Sequence, residues 1–294
     1  MDLPLRTRFE PSRPLDLALT LQGLALHVHD GEAWRATLTP DGPATIHLLH
    51  ANGSVEVEAW GPGAAWVSAR AGALCGEEDA LAGFRPAHPF LADVHRRHPG
   101  LRLPKTGAVF EALVPVVLAQ KVTGVEAHRS YRALVQALGE PAPGPKGLTV
   151  PPGAAVLARM PYWTFHRFGI ERRRAEVIIR AARSATRLEE AVTMDLPNAR
   201  RRLEAFPGVG PWTAAKVALV ALGDADAVQV GDYHLPHAVG YALEGTVRST
   251  DERMLELLEP YRGHRARVIR LIGVAGIVAP RFGPRMPLRN FARD

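Results

Sequence analysis

The 294-residue chain holds one cysteine, Cys75. A single thiol excludes an internal disulfide framework and a four-cysteine iron–sulfur cluster, and it fits a reducing cytosol. No apolar core follows the Asp- and Arg-bearing N-terminus, so no signal peptide is read there. The longest apolar runs, such as LIGVAGIVAP at 271–280, are too short to span a membrane. Internal repeats and low-complexity tails are also missing. What remains is 47% hydrophobic and 22% charged, an ordinary soluble composition with length for two domains. A cytoplasmic monomer without membrane contact is expected.

The net charge of +6 is unevenly spread. Residues 1–100 carry 8 Lys/Arg against 12 Asp/Glu, whereas 101–294 carry 28 against 18. The basic part suits a polyanionic partner, and a merely solvated Arg-rich surface accounts for the charge equally well.

The pattern along the chain predicts an α+β protein. Over the first ninety residues, LALHVH (24–29), AWRATLT (33–39), ATIHLLH (44–50) and SVEVEAW (54–60) alternate apolar and polar residues. Asp30-Gly31, Asp41-Gly42 and Asn52-Gly53 separate them as hairpin turns, predicting a small antiparallel β-rich domain over 1–100. His27, His29, His47 and His50 are read as strand residues rather than metal ligands. From about 105 the period becomes helical, with helices expected at 107–122, 126–138, 153–160, 171–183, 187–193, 197–205, 212–222, 233–242, 251–258 and 263–275. Residues 101–294 therefore read as an all-α domain, with Pro115 predicting a kink or late start in its first helix.

Within that domain, FPGVGPWTAAK (206–216) breaks one helix and begins another. Pro207 ends the first, Gly208 and Gly210 allow a sharp turn, and Pro211 suits a first helical position. The N–H groups near Gly208, Gly210 and Thr213 would face outward at a positive helix end, as an anion site for one phosphate. The carbonyls of Glu204, Phe206 and Val209, opposite them, could hold a monovalent cation, Na⁺ or K⁺. Asp232 follows 22 residues after Gly210, where a new helix begins. It is a helix cap or a preorganised carboxylate, and the two roles are compatible. Asp224 and Asp226 are local rivals in the connecting loop. DYHLPH offers Asp232, His234 and His237 to a metal, but Pro236 interrupts the spacing.

Together, Leu203, Phe206-Pro207-Gly208-Val209-Gly210, Thr213-Ala214 and Asp232 resemble the helix–hairpin–helix superfamily of base-excision DNA glycosylases. FEALVPVVLAQKV (110–122) is similar to the family helix that ends in a Gln at its DNA-facing tip. FGIERRRAEVI (168–178) is similar to a glycine-plus-basic helix start. The resemblance covers roughly 100–280, and the β-rich N-terminal domain suits the 3-methyladenine DNA glycosylase II branch. It implies double-stranded DNA with damaged bases as partner, base flipping, and Asp232 stabilising an oxocarbenium-like transition state or orienting water. It also implies no required cofactor. Lyase members carry a lysine two residues past the second hairpin glycine, where this chain has Trp212, so a monofunctional enzyme is expected.

Three departures bear on the implied base pocket, whose expected residues are Trp212, Lys216, Gln120 and Arg270. Lys216 stands at a stacking-aromatic position, one turn after Trp212 and on the same face. Arg270 aligns with a second aromatic. Lys121 takes the place of the wedge that enters the base stack. Tyr162, Trp163 and Phe165 could supply stacking or belong to the core, and Lys216 is either a surface or phosphate-facing lysine or a displaced lyase nucleophile. Arg202, with Arg172, Arg173, Arg174, Arg200, Arg201, Arg262 and Arg265, completes the expected phosphate contacts beside Gly208, Gly210, Thr213 and Lys121.

Overall fold

The structure, a computed structural model, describes residues 3–24, 27–29 and 31–280. Five antiparallel strands form the N-terminal sheet: β1 (Leu5–Phe9), β2 (His27–His29), β3 (Glu32–Thr39), β4 (Gly42–Ala51) and β5 (Ser54–Trp60), in the order β1-β5-β4-β3-β2. The alternation predicted β3, β4 and β5 closely. The Asp30 half of the first predicted turn lies outside the described residues. The edge strand β1 escapes notice because Leu5–Phe9 is mostly exposed and pairs only with β5, far along the chain. Inward residues such as Ile46, Leu48, Val55 and Val57 pack on three short helices, α1 (Leu17–Leu21), α2 (Ala64–Ala69) and α3 (Ala71–Leu74). Cys75 lies in this core, where burial pushes its thiol up to about 12. It is inert at neutral pH.

The helices continue as α4 (Pro89–Arg97), α5 (Val109–Leu118), α6 (Gly124–Leu138), α7 (Ala154–Arg159), α8 (Arg172–Arg183) and α9 (Ala185–Glu189). A small ribbon of β6 (Glu140–Pro141) and β7 (Thr149–Val150) lies between α6 and α7. The last five helices are α10 (Leu196–Glu204), α11 (Pro211–Val217), α12 (Leu235–Glu244), α13 (Asp251–Leu258) and α14 (Arg265–Val274). One core gathers α5 to α11 around Leu113, Leu118, Phe165, Ile178 and Leu203. Another joins α12 to α14 with Leu91 and Val94 of α4, a helix that precedes residue 100. The acidic third of the sequence thus supplies part of a helical core.

Two helices differ from their periodicity. The predicted helix 212–222 is α-helical only to Val217, and Ala218–Leu222 forms a π-helical turn that keeps Ala218, Ala221 and Leu222 buried. Helix α5 starts at Val109 and runs through Pro115 to Leu118. Its ends are capped by side chains from α8 and α9. The Glu189 carboxylate accepts the Val109 and Phe110 N–H groups at 2.9 and 2.8 Å, and the Arg174 guanidinium donates to the Leu118 carbonyl at 2.8 Å. An anion at the N-terminus and a cation at the C-terminus both oppose the helix dipole. Burial pushes the Glu189 carboxyl up despite these bonds. Arg174, a candidate phosphate ligand by sequence, is therefore a buried helix cap.

Candidate active site

Helix α5 delivers Gln120 to the hairpin. Its Nε2 donates to the Gly208 carbonyl at 3.0 Å and to Thr213 Oγ1 at 2.9 Å. Gln120, expected in a base pocket, fastens the turn between α10 and α11. Gly208 has φ +94°, and a Cβ there would overlap Val177 Cγ2 of α8. Val209 N–H donates to the Phe206 carbonyl at 2.9 Å and closes the turn. The N–H groups of Gly208, Gly210, Trp212 and Thr213 have no acceptor among the described residues, leaving a fan of donors at the positive end of α11. Among Glu204, Phe206 and Val209, the Phe206 carbonyl spends one lone pair on the turn, and every carbonyl retains one for a cation.

Gly208→Ala is expected to cost about 2–4 kcal/mol, from the left-handed backbone and the Val177 overlap together. Thermal unfolding checks this, and adding Val177→Ala should return the overlap portion.

Lys121 follows at the exposed tip after α5, with φ 55°, a left-handed conformation costing a non-glycine residue about 1–2 kcal/mol. The capping box of Thr123 and Glu126 starts α6 directly behind it. The anchored Gln120 on one side and this cap on the other hold Lys121 outward.

Asp232 stands before α12, at the junction of the two helical cores. Its Oδ1 accepts the His234 and Leu235 N–H groups at 2.9 and 3.0 Å, and its Oδ2 accepts Trp212 Nε1–H at 2.8 Å. It is not the N-cap itself, which is His234, but these bonds tie its carboxylate to the start of α12. Partial burial pushes its carboxyl up, but these hydrogen bonds and the nearby Lys216 charge outweigh that and hold it below the usual carboxylate range. Lys216 sits on α11 with its Nζ 4.7 Å from the centroid of the Trp212 ring. The structure thus brings Asp232, Trp212 and Lys216 together. Sequence reasoning passed over Tyr233, next to Asp232 and 80% exposed, whose ring packs edge-on against His234. An exposed aromatic beside the candidate carboxylate was the available signal.

The rival carboxylates are committed elsewhere. Asp226 is held by both nitrogens of the Arg265 fork, at 2.8 and 2.5 Å. Asp224 is fully buried, lies 3.3 Å from Arg200, and is pushed up by burial. Among the described residues no His, Cys, Asp and Glu group could hold a metal, and His237 Nδ1 accepts the Ser249 N–H.

Arg270 is turned to another task. Its Nη2 donates to the Leu19 and Gln22 carbonyls at 2.6 and 2.9 Å, clamping α14 to the end of α1. Phe165 is fully buried, while Tyr162 and Trp163 line a separate groove with Met160, Arg180 and Arg183. Of the two readings by sequence, stacking or core, Phe165 takes the core.

Most of the candidate phosphate contacts are paired inside the protein. Arg202 meets Glu190, Arg200 meets Asp224, Arg172 meets Glu176, Arg262 meets Glu259, Arg265 meets Asp226, and Arg201 donates to Asn198. Arg173 is exposed and has no ion-pair partner among the described residues. It lies one helical turn before Val177, the residue that packs against Gly208. Arg173→Gln is expected to weaken DNA binding for every sequence and reduce the salt slope by about one, whereas Arg262→Gln should leave the slope alone. Titrations at several salt concentrations measure both.

No family model matches the chain. A Mycobacterium tuberculosis protein named probable bifunctional transcriptional activator/DNA repair enzyme AlkA is 32% identical over 151 residues, 51% of this chain and 30% of that protein. The chain therefore matches under a third of that relative's length. The Escherichia coli protein named DNA-3-methyladenine glycosylase 2 is 28% identical over 236 residues, 79% of each chain. Among solved structures, a 3-methyladenine DNA glycosylase from Archaeoglobus fulgidus superposes with TM-score 0.72 at 21% identity, covering 90% of this chain and 97% of its own, which shows the shared fold. With its hairpin, its Asp232 at the helix junction and an N-terminal antiparallel sheet, the chain is similar to the helix–hairpin–helix DNA glycosylases, the 3-methyladenine DNA glycosylase II proteins among them.

Proposed function

We propose that the protein is a monofunctional DNA glycosylase, acting as a monomer in base-excision repair. It draws a damaged nucleotide out of the duplex and hydrolyses the N-glycosidic bond, leaving an abasic site. The observation that carries this reading is the Trp212–Asp232 hydrogen bond, which fixes an ionised carboxylate beside the hairpin's phosphate donors. A base inside a duplex cannot be reached, so the enzyme must bind the backbone and extrude the nucleotide. The free N–H groups at Gly208, Gly210 and Thr213, with Arg173 and Lys121, are suited to that grip. A monovalent cation on the carbonyls of Glu204, Phe206 and Val209 would brace the same turn, adding positive charge where phosphate docks.

As the glycosidic bond lengthens, positive charge grows on the sugar, and a fixed carboxylate lowers that barrier without reorganising. The indole N–H of Trp212 cannot attack carbon, so water is the nucleophile, with Asp232 placed to orient it. The Escherichia coli relative's name points to alkylated bases, 3-methyladenine among them, as the substrate class. A second reading, deaminated bases such as hypoxanthine or uracil, is favoured by the Lys216 ammonium on the Trp212 ring.

Duplexes bearing methylated, etheno, hypoxanthine or uracil bases test the proposal. Strand breaks that appear only after alkali are expected. Breaks without alkali, with a borohydride-trapped adduct that disappears in Lys216→Ala, would replace water by a lysine nucleophile. Binding without release of any base would make the protein a non-catalytic DNA-binding module.

A further inference from the structure

The site pairs one negative and one positive group. Asp232 is partly buried and hydrogen-bonded at both oxygens, with two backbone N–H donors on Oδ1 and the indole on Oδ2. Lys216, one turn along α11 from Trp212, is also partly buried, and its ammonium faces the Trp212 ring with no carboxylate in ion-pair range among the described residues. Its three donors are thus unspent. A cation over a ring face is attracted to it and also occupies it, so that face does not serve a second cation. Arg270 supplies no ring, since its guanidinium holds the Leu19 and Gln22 carbonyls.

This pairing matters because damaged bases leave in different charge states. A base alkylated on a ring nitrogen carries a positive charge while attached and departs as a neutral molecule. A neutral base, such as hypoxanthine, keeps the bonding electron pair and departs as an anion. Its departure needs a cation or proton donor at the base end, while the sugar end needs a carboxylate in both cases. Asp232 is suited to the second requirement, and Lys216, the cation whose charge reaches Asp232, is available for the first.

We propose that Lys216 is the specificity-determining residue of this site, selecting neutral bases that carry carbonyl oxygens over cationic alkylpurines. The inference rests on the glycosylase reading above. In the step, the bond between the sugar C1′ and the base nitrogen breaks and its electron pair goes to the nitrogen. The Lys216 ammonium hydrogen-bonds the base oxygen on which that negative charge is shared. Water forms the new C1′–O bond and releases its proton to solvent, and the base anion takes up a proton from solvent. Atoms and electrons balance without a further reactant. A positively charged base in the same place would instead meet a like charge across a few ångströms.

The test is single-turnover release from two duplexes, one containing hypoxanthine and one 7-methylguanine, with each rate divided by its uncatalysed rate. The wild-type protein is expected to show the larger enhancement on hypoxanthine. Lys216→Met keeps the aliphatic stem and removes the charge, and it should lower the hypoxanthine-to-methylguanine ratio about a hundredfold. Lys216→Arg should keep the wild-type order. An unchanged ratio in a folded Lys216→Met protein would overturn the proposal, as would a wild-type enhancement greater for 7-methylguanine. The wild-type comparison stands even where a variant fails to fold. Release of neither base would sink the glycosylase reading and this one with it, whereas release of 7-methylguanine alone would sink only this one.

Discussion

Asp232→Asn is expected to slow base release by about 10²–10³-fold while leaving DNA affinity close to that of the wild type. The amide keeps the size of the side chain and one acceptor for the α12 N–H groups, so the fold at His234 and Leu235 should persist. What disappears is the full negative charge that faces the sugar as it becomes cationic. Single-turnover assays at saturating enzyme isolate the chemical step, and a variant retaining full activity would remove Asp232 from the catalytic role.

The pH profile gives an independent reading of the same group. Its hydrogen bonds outweigh the effect of burial and hold the Asp232 carboxyl below the usual carboxylate range. Base release should therefore hold as pH falls from neutral and decline only as pH drops through that lowered value. A depressed folded-state pKa also contributes stability that is present above the unfolded value, about 3.9, and lost as pH falls through the folded one. Trp212→Phe removes the indole donor at 2.8 Å, so the acidic limb should move to higher pH. An unmoved limb would mean that another group controls it.

The largest loss of stability is expected from Asp79→Ala, about 3–5 kcal/mol. The Asp79 carboxylate accepts from Arg267 at 2.9 and 2.5 Å, from Arg13 at 2.7 Å and from the Leu103 N–H at 3.0 Å. The side chains of Asp79 and Arg267 are 1% and 4% exposed. Truncating the acid leaves a buried guanidinium without its counter-charge, which costs more than the pair itself contributes. The thermal midpoint should fall by about 10 °C. Asp79→Ala combined with Arg267→Met should recover part of the loss, since the second change removes the orphaned charge. Recovery of nothing would place the damage in the backbone at Leu103 instead.

Asp79 also changes what the charge asymmetry of the chain means. It belongs to the acidic N-terminal third, Arg267 to the basic remainder, and their contact ties the segment after α3 to α14. Seven of the eight arginines read as possible phosphate ligands are similarly occupied by intramolecular partners. The net charge of a segment counts these residues, but only folding shows which remain available to DNA. Arg173 is exposed and has no ion-pair partner because the acid one turn along α8, Glu176, is taken by Arg172.

The sequence by itself determined the strands β3 to β5, most of the helices, the hairpin and the candidate carboxylate. Those features follow from local rules: alternation for a half-buried strand, a 3.6-residue period for a helix, and glycine and proline at a turn. The resemblance to the glycosylase family, not a local rule, singled out the role of Asp232 and the Trp212 position. Only the tertiary structure decided that Gln120 fastens the hairpin, that Arg174 and Glu189 cap α5, and that Arg270 clamps α1. It also decided that Lys216 covers the Trp212 ring beside Asp232. Each of these is a contact between residues whose spacing in the chain fixes no direction for their side chains, except Lys216 and Trp212. Those two share a helix face by spacing alone, but the third member, Asp232, reaches them only because the chain turns back between two helical cores.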